Sequence, residues 1–395
     1  MPTATDHRAN PGATRANWRT APFSAWAFRN IRDLLPVAEI PSAPNTPRVL
    51  REAPRAFDGF SVKGVDGSVH DLPGFLAATA TDAIVVLHDG AIAYEAYFNG
   101  NAEHTPHILM SATKSVVGLI AGILSARGEL DLDAEVTHYV PEVAATLYRG
   151  ATIRQLIDMR TAVELDEAEH ARYAAAANWD EVAPGAALGL HDFFATLPPP
   201  PPGHAHGGAF RYVSVNTDLF GWVVARATGK DFAGLASNLL WRRMGAADGA
   251  FITVDRDGAP RCTGGLCATA RDFARLGQLV LDGGTRGDDA VVPAAWIEDI
   301  ARGGDRDAWH NGEWGQAFAP ISRAMSYRSG WYVIHDAPQL MFAMGIHGQN
   351  LFVDRANRMV IAKLSSQADR IDHRALLLTH RAVAEFRQCL AAGED

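Results

Sequence analysis

The stretch LMSATKSVVGLIAGIL covers residues 109–124 and determines how the rest of the chain is interpreted. Its apolar residues recur at the spacing of one helix face, so the sequence predicts a helix with an apolar stripe. Lys114 nevertheless lies in the first turn of that helix, three residues after Ser111. Because helix positions i and i+3 share a face, we expect the serine hydroxyl and the lysine amine to meet.

Lysine is rare in this chain, so the presence of Lys114 beside an apolar helix suggests a specific role for it. Nearly all the positive charge is arginine, and the lysines are Lys63, Lys114, Lys230 and Lys363. Arginine stays protonated, whereas a desolvated lysine can lose its proton and then take one from a serine. Ser111 and Lys114 are therefore a candidate nucleophile and base. The alternative is a lysine that lays its stem on the core and its amine at the surface.

The composition excludes several classes of protein. The chain has 395 residues and a formal net charge of −9, with no basic run, which argues against a nucleic-acid partner. Its three cysteines are too widely spaced to indicate a disulfide framework or a zinc site, which is typical of a reducing compartment. The polar N-terminus lacks the apolar region of a signal peptide, and no stretch predicts a membrane span. We therefore expect a cytoplasmic protein.

The order of predicted elements indicates two parts. Two β-rich runs flank Asp89 and Gly90 in AIVVLHDGAIAYEAYF, residues 83–98, which predicts a hairpin. Mostly helical patterns follow, including a helix that ends near Gly229. Strand patterns then return, and an amphipathic helix begins at about Asp372. Strands at both ends of the chain are expected to form one sheet.

The predicted fold class is therefore α/β plus all-α, an antiparallel sheet flanked by helices with an inserted helical domain. The predicted boundaries are a disordered tail over 1–17, an α/β domain formed by 18–110 and 248–395, and a helical domain over 111–247. Ser111 lies where the chain passes from one part to the other, so we expect it at a cleft between them.

Two further residues are candidates for chemistry. Tyr212, in GGAFRYVSVNTDLFGW, could act as a general base if a cation such as Lys114 lowers its pKa, or it could be a half-buried core tyrosine. His347, in GIHGQN, could be catalytic or simply hydrogen-bonded at a strand edge. The nucleophile motif G-x-S-x-G is absent, and so are the P-loop and G-x-G-x-x-G motifs of nucleotide enzymes.

These motifs, in this order, resemble the serine β-lactamase and penicillin-binding-protein superfamily. LMSATKS matches its S-x-x-K motif, and YVS at residues 212–214 stands where that superfamily has Tyr-x-Asn or Tyr-x-Ser. Within the superfamily, FRYVSVNTD, TARDFARLG and GIHGQNLFVD are most similar to the nylon-oligomer hydrolases, which cleave 6-aminohexanoate dimers, and to their carboxylesterase relatives. The resemblance extends from about Trp26 to the end of the chain.

The resemblance implies a β-lactamase-like two-domain fold and a serine hydrolase that forms an acyl-enzyme. Ser111 would be the nucleophile, Lys114 and Tyr212 would share the proton transfers, and the backbone N–H groups of Ser111 and Ile346 would form the oxyanion hole. It implies cleavage of linear amides of the 6-aminohexanoate-dimer type, of short-chain carboxylic esters, or of both. It further implies a small-molecule substrate, no cofactor or metal, no membrane partner, and a homodimer. The supporting or substrate-contacting residues would be Ala112, Glu169, Ser214, Tyr332, Gly345 and His347.

Several positions depart from the family pattern. Ala343, Met344 and Gly345 stand where β-lactamases and peptidases carry Lys-Thr-Gly, and Ser214 replaces an asparagine. Both departures favour esters or linear amides over penicillins.

The same resemblance makes the loop over residues 166–189 shorter than in nylon-oligomer hydrolases, where a tyrosine and an aspartate help to hold the amide substrate and its amino end. The tyrosine falls at Glu169 here, and the aspartate has no match in this loop. Glu169, Asp180 or Glu181 could hold a substrate ammonium, or could be solvated loop carboxylates. Two alternatives stay open: a β-lactamase or D,D-peptidase, and a non-catalytic binding protein on the same fold.

Overall fold

The structure is a computed structural model that describes residues 9–43, 45–180 and 189–392. Its strands are β1 Val37–Ile40, β2 Arg51–Glu52, β3 Val62–Lys63, β4 Val69–His70, β5 Thr81–His88, β6 Ala91–Tyr97, β7 His107–Ile108, β8 Ala250–Thr253, β9 Leu266–Ala268, β10 Thr285–Arg286, β11 Asp289–Ala290, β12 Met325–Arg328, β13 Trp331–Ile334, β14 Leu340–Gly345, β15 Gln349–Asp354 and β16 Met359–Ser365.

The α-helices are α1 Ser24–Ala27, α2 Leu72–Ala78, α3 Thr113–Ala126, α4 Val136–Tyr139, α5 Ile153–Ile157, α6 Glu167–Ala176, α7 Leu190–Ala195, α8 Val215–Thr228, α9 Phe232–Leu235, α10 Arg242–Met244, α11 Ala270–Leu281, α12 Ala294–Arg302, α13 Arg306–His310 and α14 His373–Ala391. Short 3₁₀ helices cover Ile31–Asp33, Met110–Ala112, Pro141–Val143 and Ile346–Gly348, and a π-helix covers Ala236–Trp241.

The main sheet has eight strands in the order β12-β13-β14-β15-β16-β5-β6-β2. Strand β16, late in the chain, pairs antiparallel with β5, so both ends of the chain do meet in one sheet. All residues of β16 are buried because helices cover both faces. Val360 and Ala362 face the core shared with α3 and α11, whereas Ile361 faces the core shared with α14. The predicted fold class is confirmed.

Helix α3 is buried on nearly every side, which goes beyond the single apolar stripe that its sequence predicts. Two glycines of the helix allow neighbouring segments to pack closely against it. A Cβ atom on Gly118 would lie 1.8 Å from the Ser329 carbonyl oxygen, and one on Gly122 would lie 2.3 Å from the Trp296 ring. The helix that follows the candidate nucleophile is therefore fixed tightly between the helical part and the sheet. Helices α4 to α10 follow it in the chain, as expected; the exact domain boundaries stay a prediction.

A second sheet, which the sequence analysis missed, has the order β1-β8-β9-β7. It places β9 beside β7, and Leu109, just after β7, donates a backbone hydrogen bond to Leu266. Residues near 263–268 are thereby brought next to the start of α3. This sheet therefore helps to build the site around Ser111.

Of the tail predicted to be disordered, residues 9–17 are described by the structure and contact other parts of the chain, whereas residues 1–8 lie outside the described part. Ala13 is 4% exposed, and Trp18, the first residue after this segment, is fully buried. Arg15 donates a hydrogen bond to the Asn178 carbonyl oxygen, and Trp18 packs edge-on against Trp179. The polar composition of this segment concealed the few contacts that hold it in place.

Candidate active site

The 3₁₀ turn Met110–Ala112 joins β7 to α3 and presents Ser111. Met110 adopts a left-handed backbone conformation with φ of 47°, which is strained for a residue with a long side chain. Lys114 is 2% exposed, and its Nζ atom lies 3.2 Å from the Oγ atom of Ser111. The structure therefore brings the predicted serine and lysine together. Lys114 does not extend to the surface.

The other neighbours of the Lys114 amine are a carbonyl group and an aromatic ring. The amine donates a 2.7 Å hydrogen bond to the Thr263 carbonyl oxygen. It also lies 5.0 Å from the centroid of the Tyr212 ring, within cation–π range. The structure thus brings Lys114 to Tyr212 as predicted. Among the described residues, no hydrogen bond joins Tyr212 directly to Ser111, and Lys114 contacts both.

Tyr212 lies in the segment that leads into α8, and an indole ring fixes its orientation. Its ring stacks on Trp314 with centroids 4.2 Å apart and planes 19° from parallel. Trp314 also stacks on Tyr332, at 6.1 Å and 6°. Sequence reasoning did not find Trp314, because nothing in the local pattern of its loop indicates a partner so distant in sequence.

Thr263 is held by a buried polar network that the sequence analysis also missed. Its N–H donates to Asp218 Oδ1 at 2.8 Å, and its hydroxyl donates to the Ser214 carbonyl oxygen at 2.7 Å. Asp218 forms a buried ion pair with Arg261, and the Tyr173 hydroxyl donates to the same carboxylate at 2.5 Å. These bonds fix the carbonyl group that accepts from the lysine.

The electrostatics of this network favour charged Arg261 and a neutral Tyr173. Burial alone would lower the pKa of Arg261, but Asp218 and Tyr173 raise it above its usual value. Burial raises the pKa of the Tyr173 hydroxyl well above its usual value. A buried charge is tolerated when it is both paired and hydrogen-bonded, as that of Arg261 is.

The end of β14 packs against the backbone of the candidate nucleophile. A Cβ atom on Gly345 would lie 3.0 Å from the Ser111 nitrogen and 2.6 Å from the Leu109 carbonyl oxygen. Only glycine therefore permits this approach. Ile346 follows directly and begins the turn to β15. The structure thus brings together the two segments whose N–H groups are predicted to form the oxyanion hole.

His347 has the surroundings of a hydrogen-bonded structural residue. It is 1% exposed, and its Nδ1 atom shares a 2.8 Å hydrogen bond with the Gln367 carbonyl oxygen. Its ring packs edge-on against Phe28. Burial lowers the pKa of His347, which favours the neutral ring. Of its two interpretations, the hydrogen-bonded residue fits the contacts better than the catalytic one.

Three other predicted positions are placed close to this centre. Ala112 is fully buried in the 3₁₀ turn, and Ser214 contributes its carbonyl oxygen to the Thr263 network. Tyr332 is 2% exposed. Burial raises the pKa of Tyr332 well above its usual value, and the nearby Tyr212 raises it further. Tyr332 therefore supports Tyr212 from within the core, and its burial argues against contact with a substrate.

Two of the three carboxylates predicted to hold a substrate ammonium are engaged elsewhere. Glu169 accepts from the Asp166 N–H at 2.9 Å, and Asp166 accepts from the Glu169 N–H, which is a capping box at the start of α6. The acidic residue three positions after Asp166 was a sequence signal for this cap. Asp180 pairs with Arg19. Glu181 lies outside the described residues.

The arrangement has the parts that an acyl-transfer site requires: a serine, a buried amine within hydrogen-bond distance, a phenol, and backbone amides beside the serine. Among the described residues, no group of three His, Cys, Asp or Glu side chains lies together as a metal site would require. In the same part of the chain, no helix combines the length and the apolar character needed to cross a membrane. This fold and this site define the class of β-lactamase-like serine hydrolases.

Comparison with known proteins agrees with that class. The model of the family described as Beta-lactamase matches residues 74–386. The chain is 34% identical over 374 residues to the 6-aminohexanoate-dimer hydrolase of Paenarthrobacter ureafaciens. This match covers 91% of each of the two chains. The chain therefore belongs to the beta-lactamase family and is a hydrolase of that family, as the resemblance implied.

Two further proteins show how the similarity extends. Esterase EstB of Burkholderia gladioli is 32% identical over 162 residues, which are 39% of this chain and 40% of the esterase. The solved structure of a candidate 6-aminohexanoate-dimer hydrolase from Bacillus anthracis superposes with a TM-score of 0.84 at 26% identity. That match covers 97% of this chain and 98% of the other. Both amide and ester hydrolases are therefore among the proteins similar to this chain.

Proposed function

We propose that this protein is a serine hydrolase that forms an acyl-enzyme on Ser111 and cleaves short-chain carboxylic esters and uncharged linear amides. The observation that carries the proposal is the 3.2 Å approach of Lys114 Nζ to Ser111 Oγ in a buried setting. A serine is a weak nucleophile unless a neighbouring base takes its proton. The similarity to both amide and ester hydrolases supports the same reaction class.

In the proposed reaction, Ser111 Oγ attacks the substrate carbonyl carbon while its proton passes to the Lys114–Tyr212 pair. The carbonyl oxygen becomes an oxyanion, which accepts hydrogen bonds from the N–H groups of Ser111 and Ile346. The bond to the leaving alcohol or amine then breaks, and the pair returns the proton to the leaving atom. Water repeats the sequence on the acyl-enzyme and releases the acid.

Two features of the site favour uncharged substrates. Ala343, Met344 and Gly345 provide no cationic side chain where a β-lactam or peptide carboxylate would bind. Glu169 caps a helix and Asp180 pairs with Arg19, so neither carboxylate is free for an ammonium group. The site therefore supports esters and neutral amides better than penicillins or amino-terminated dimers.

All three cysteines are free, which supports the proposed cytoplasmic location.

The test compares kcat/KM for a p-nitrophenyl ester and for the linear 6-aminohexanoate dimer, with Ser111→Ala as the blank. Hydrolysis of the ester above the blank, and labelling of Ser111 by a fluorophosphonate in an intact-mass spectrum, are the expected results. Equal or faster cleavage of the dimer would overturn the preference for uncharged substrates. Absence of both activities and of labelling would leave a non-catalytic binding protein, and hydrolysis of nitrocefin would favour a β-lactamase.

A further inference from the structure

The turn between β14 and β15 has a backbone that its surroundings must hold in place. It consists of Ile346, His347 and Gly348, and it carries the Ile346 N–H of the proposed oxyanion hole. His347 has φ of 62° and Gly348 has φ of 89°. A left-handed conformation at a histidine costs free energy and persists only when neighbouring contacts impose it.

Arg370, Gln367 and Asn350 each form hydrogen bonds with this turn. The side chain of Gln349, which is fully buried, adds the bonds that join the turn to β16. Its Nε2 atom donates to the Ser365 carbonyl oxygen at 2.6 Å. The same nitrogen lies 3.2 Å from the His347 carbonyl oxygen and 3.3 Å from that of Ile346, so its second hydrogen is shared between them. Its Oε1 atom accepts from the Ser365 N–H at 3.0 Å. One amide thus joins the turn to β16.

The backbone of Ser365 needs these bonds because its pairing with β15 ends before it, although Ser365 still pairs with Thr81 of β5. The β15–β16 ladder ends at the Asn350–Lys363 pair, and the β16–β5 register shifts between Leu364 and Ser365. The Gln349 amide presents one acceptor and one donor to Ser365, as a strand residue would. It therefore replaces a missing ladder position and anchors the turn to a central strand.

We propose that Gln349 is a positioning residue that holds the Ile346 N–H at the distance from Ser111 that the oxyanion requires. This inference rests on the proposed function. Gly345, which precedes the turn, already lies against the Ser111 nitrogen. Any shift of the turn therefore changes the separation of the two N–H groups. Donors of this kind act only when they are aimed at the developing charge.

The experiment compares Gln349→Met with Gln278→Met. Gln278 is also buried, and its amide donates to Asp282 at 2.8 Å on α11, within another part of the core. Each variant is measured for hydrolysis of p-nitrophenyl butyrate, for inhibition by butylboronic acid and for thermal unfolding. A serine-bound boronate is tetrahedral and anionic, so its affinity reports on the oxyanion hole rather than on ground-state binding.

We expect Gln349→Met to lower kcat by about 10- to 100-fold with little change in KM. Butylboronic acid should bind it more weakly by a similar factor. Gln278→Met should lose only thermal stability. A kcat for Gln349→Met within about twofold of the Gln278→Met value would overturn the inference. If the wild-type protein itself neither hydrolyses the ester nor acylates Ser111, the proposed function fails instead.

A second variant, Gln349→Glu, keeps the inference testable if Gln349→Met does not fold. A protonated glutamic acid offers one donor and one acceptor, whereas the carboxylate offers acceptors only and faces three carbonyl groups. The activity of Gln349→Glu relative to wild type should therefore rise as the pH falls. A relative activity that is independent of pH would contradict a positioning role for the amide.

Discussion

The carbonyl oxygen of Thr263 accepts a 2.7 Å hydrogen bond from the amine of Lys114. This bond fixes the orientation of the lysine amine and so determines which of its other positions faces the Ser111 hydroxyl. It also connects the candidate active site to the second sheet and to α8, since Asp218 of α8 holds the Thr263 N–H.

Lys114→Arg should lower kcat/KM for an ester by about 100-fold or more, because arginine cannot give up its proton to accept that of Ser111. The measurement is steady-state hydrolysis of a p-nitrophenyl ester, together with the rate of fluorophosphonate labelling. Lys230→Arg, at an exposed position, is the matched control and should behave as wild type. Turnover by Lys114→Arg close to that of the control would remove the proton-transfer role.

Tyr212→Phe removes the hydroxyl group of Tyr212 and keeps an aromatic ring in its place. The phenylalanine can still stack on Trp314 and face Lys114, so the thermal midpoint should stay close to wild type. The hydroxyl is lost, and kcat should fall by about 100-fold. Tyr94→Phe, on β6, serves as the control. Unchanged kcat in Tyr212→Phe would leave Lys114 as the sole candidate base.

Asp218→Asn should destabilise the fold by about 3–5 kcal/mol, because it leaves the Arg261 guanidinium buried without its counter-ion. Urea unfolding measures the loss. The double variant Asp218→Asn/Arg261→Met should recover much of that stability, since no unpaired charge then remains. Losses that simply add in the double variant would show that the two residues are not coupled.

The stability of the fold should depend on the pH through Lys363. Burial lowers the pKa of this lysine from 10.5 to about 7, and its amine donates to Ser365 Oγ at 2.5 Å. Between these two values the unfolded chain binds more protons than the folded protein. The free energy of unfolding should therefore rise with pH across this window, by about 1 kcal/mol per pH unit.

Urea unfolding at about pH 7.5 and about pH 9.5 measures this slope. Lys363→Met should remove it, whereas Lys63→Met, at an exposed position, should retain it. The expectation is contradicted if wild type and Lys363→Met change equally between the two pH values.

Local patterns in the sequence predicted the elements whose turns or ends are marked by particular residues. The hairpin around Asp89 and Gly90 is confirmed, with both residues at positive φ as the tight turn requires. The helix predicted to end near Gly229 ends at Thr228, and Gly229 adopts the left-handed conformation of a helix terminus. The pairing of strands from both ends of the chain also followed from the order of the elements.

Contacts between residues distant in sequence were not predictable in this way. The β7–β9 pairing joins strands of two and three residues, too short to show a period. The Asp218–Arg261 pair and the Tyr212–Trp314 stack depend on the packed arrangement of several segments. Only the resemblance to a family indicated that Ile346 would lie near Ser111, because no local pattern connects them.

The position of β14 beside the 3₁₀ turn of Ser111 has a consequence during synthesis of the chain. A ribosome completes Ser111, Lys114 and Tyr212 long before it reaches Ile346 and the two strands that hold it. A nascent chain that stops before β14 therefore carries the proposed nucleophile but only one of the two N–H groups proposed for the oxyanion hole. Such a fragment should be inert toward esters, so that hydrolysis begins only when translation is almost complete.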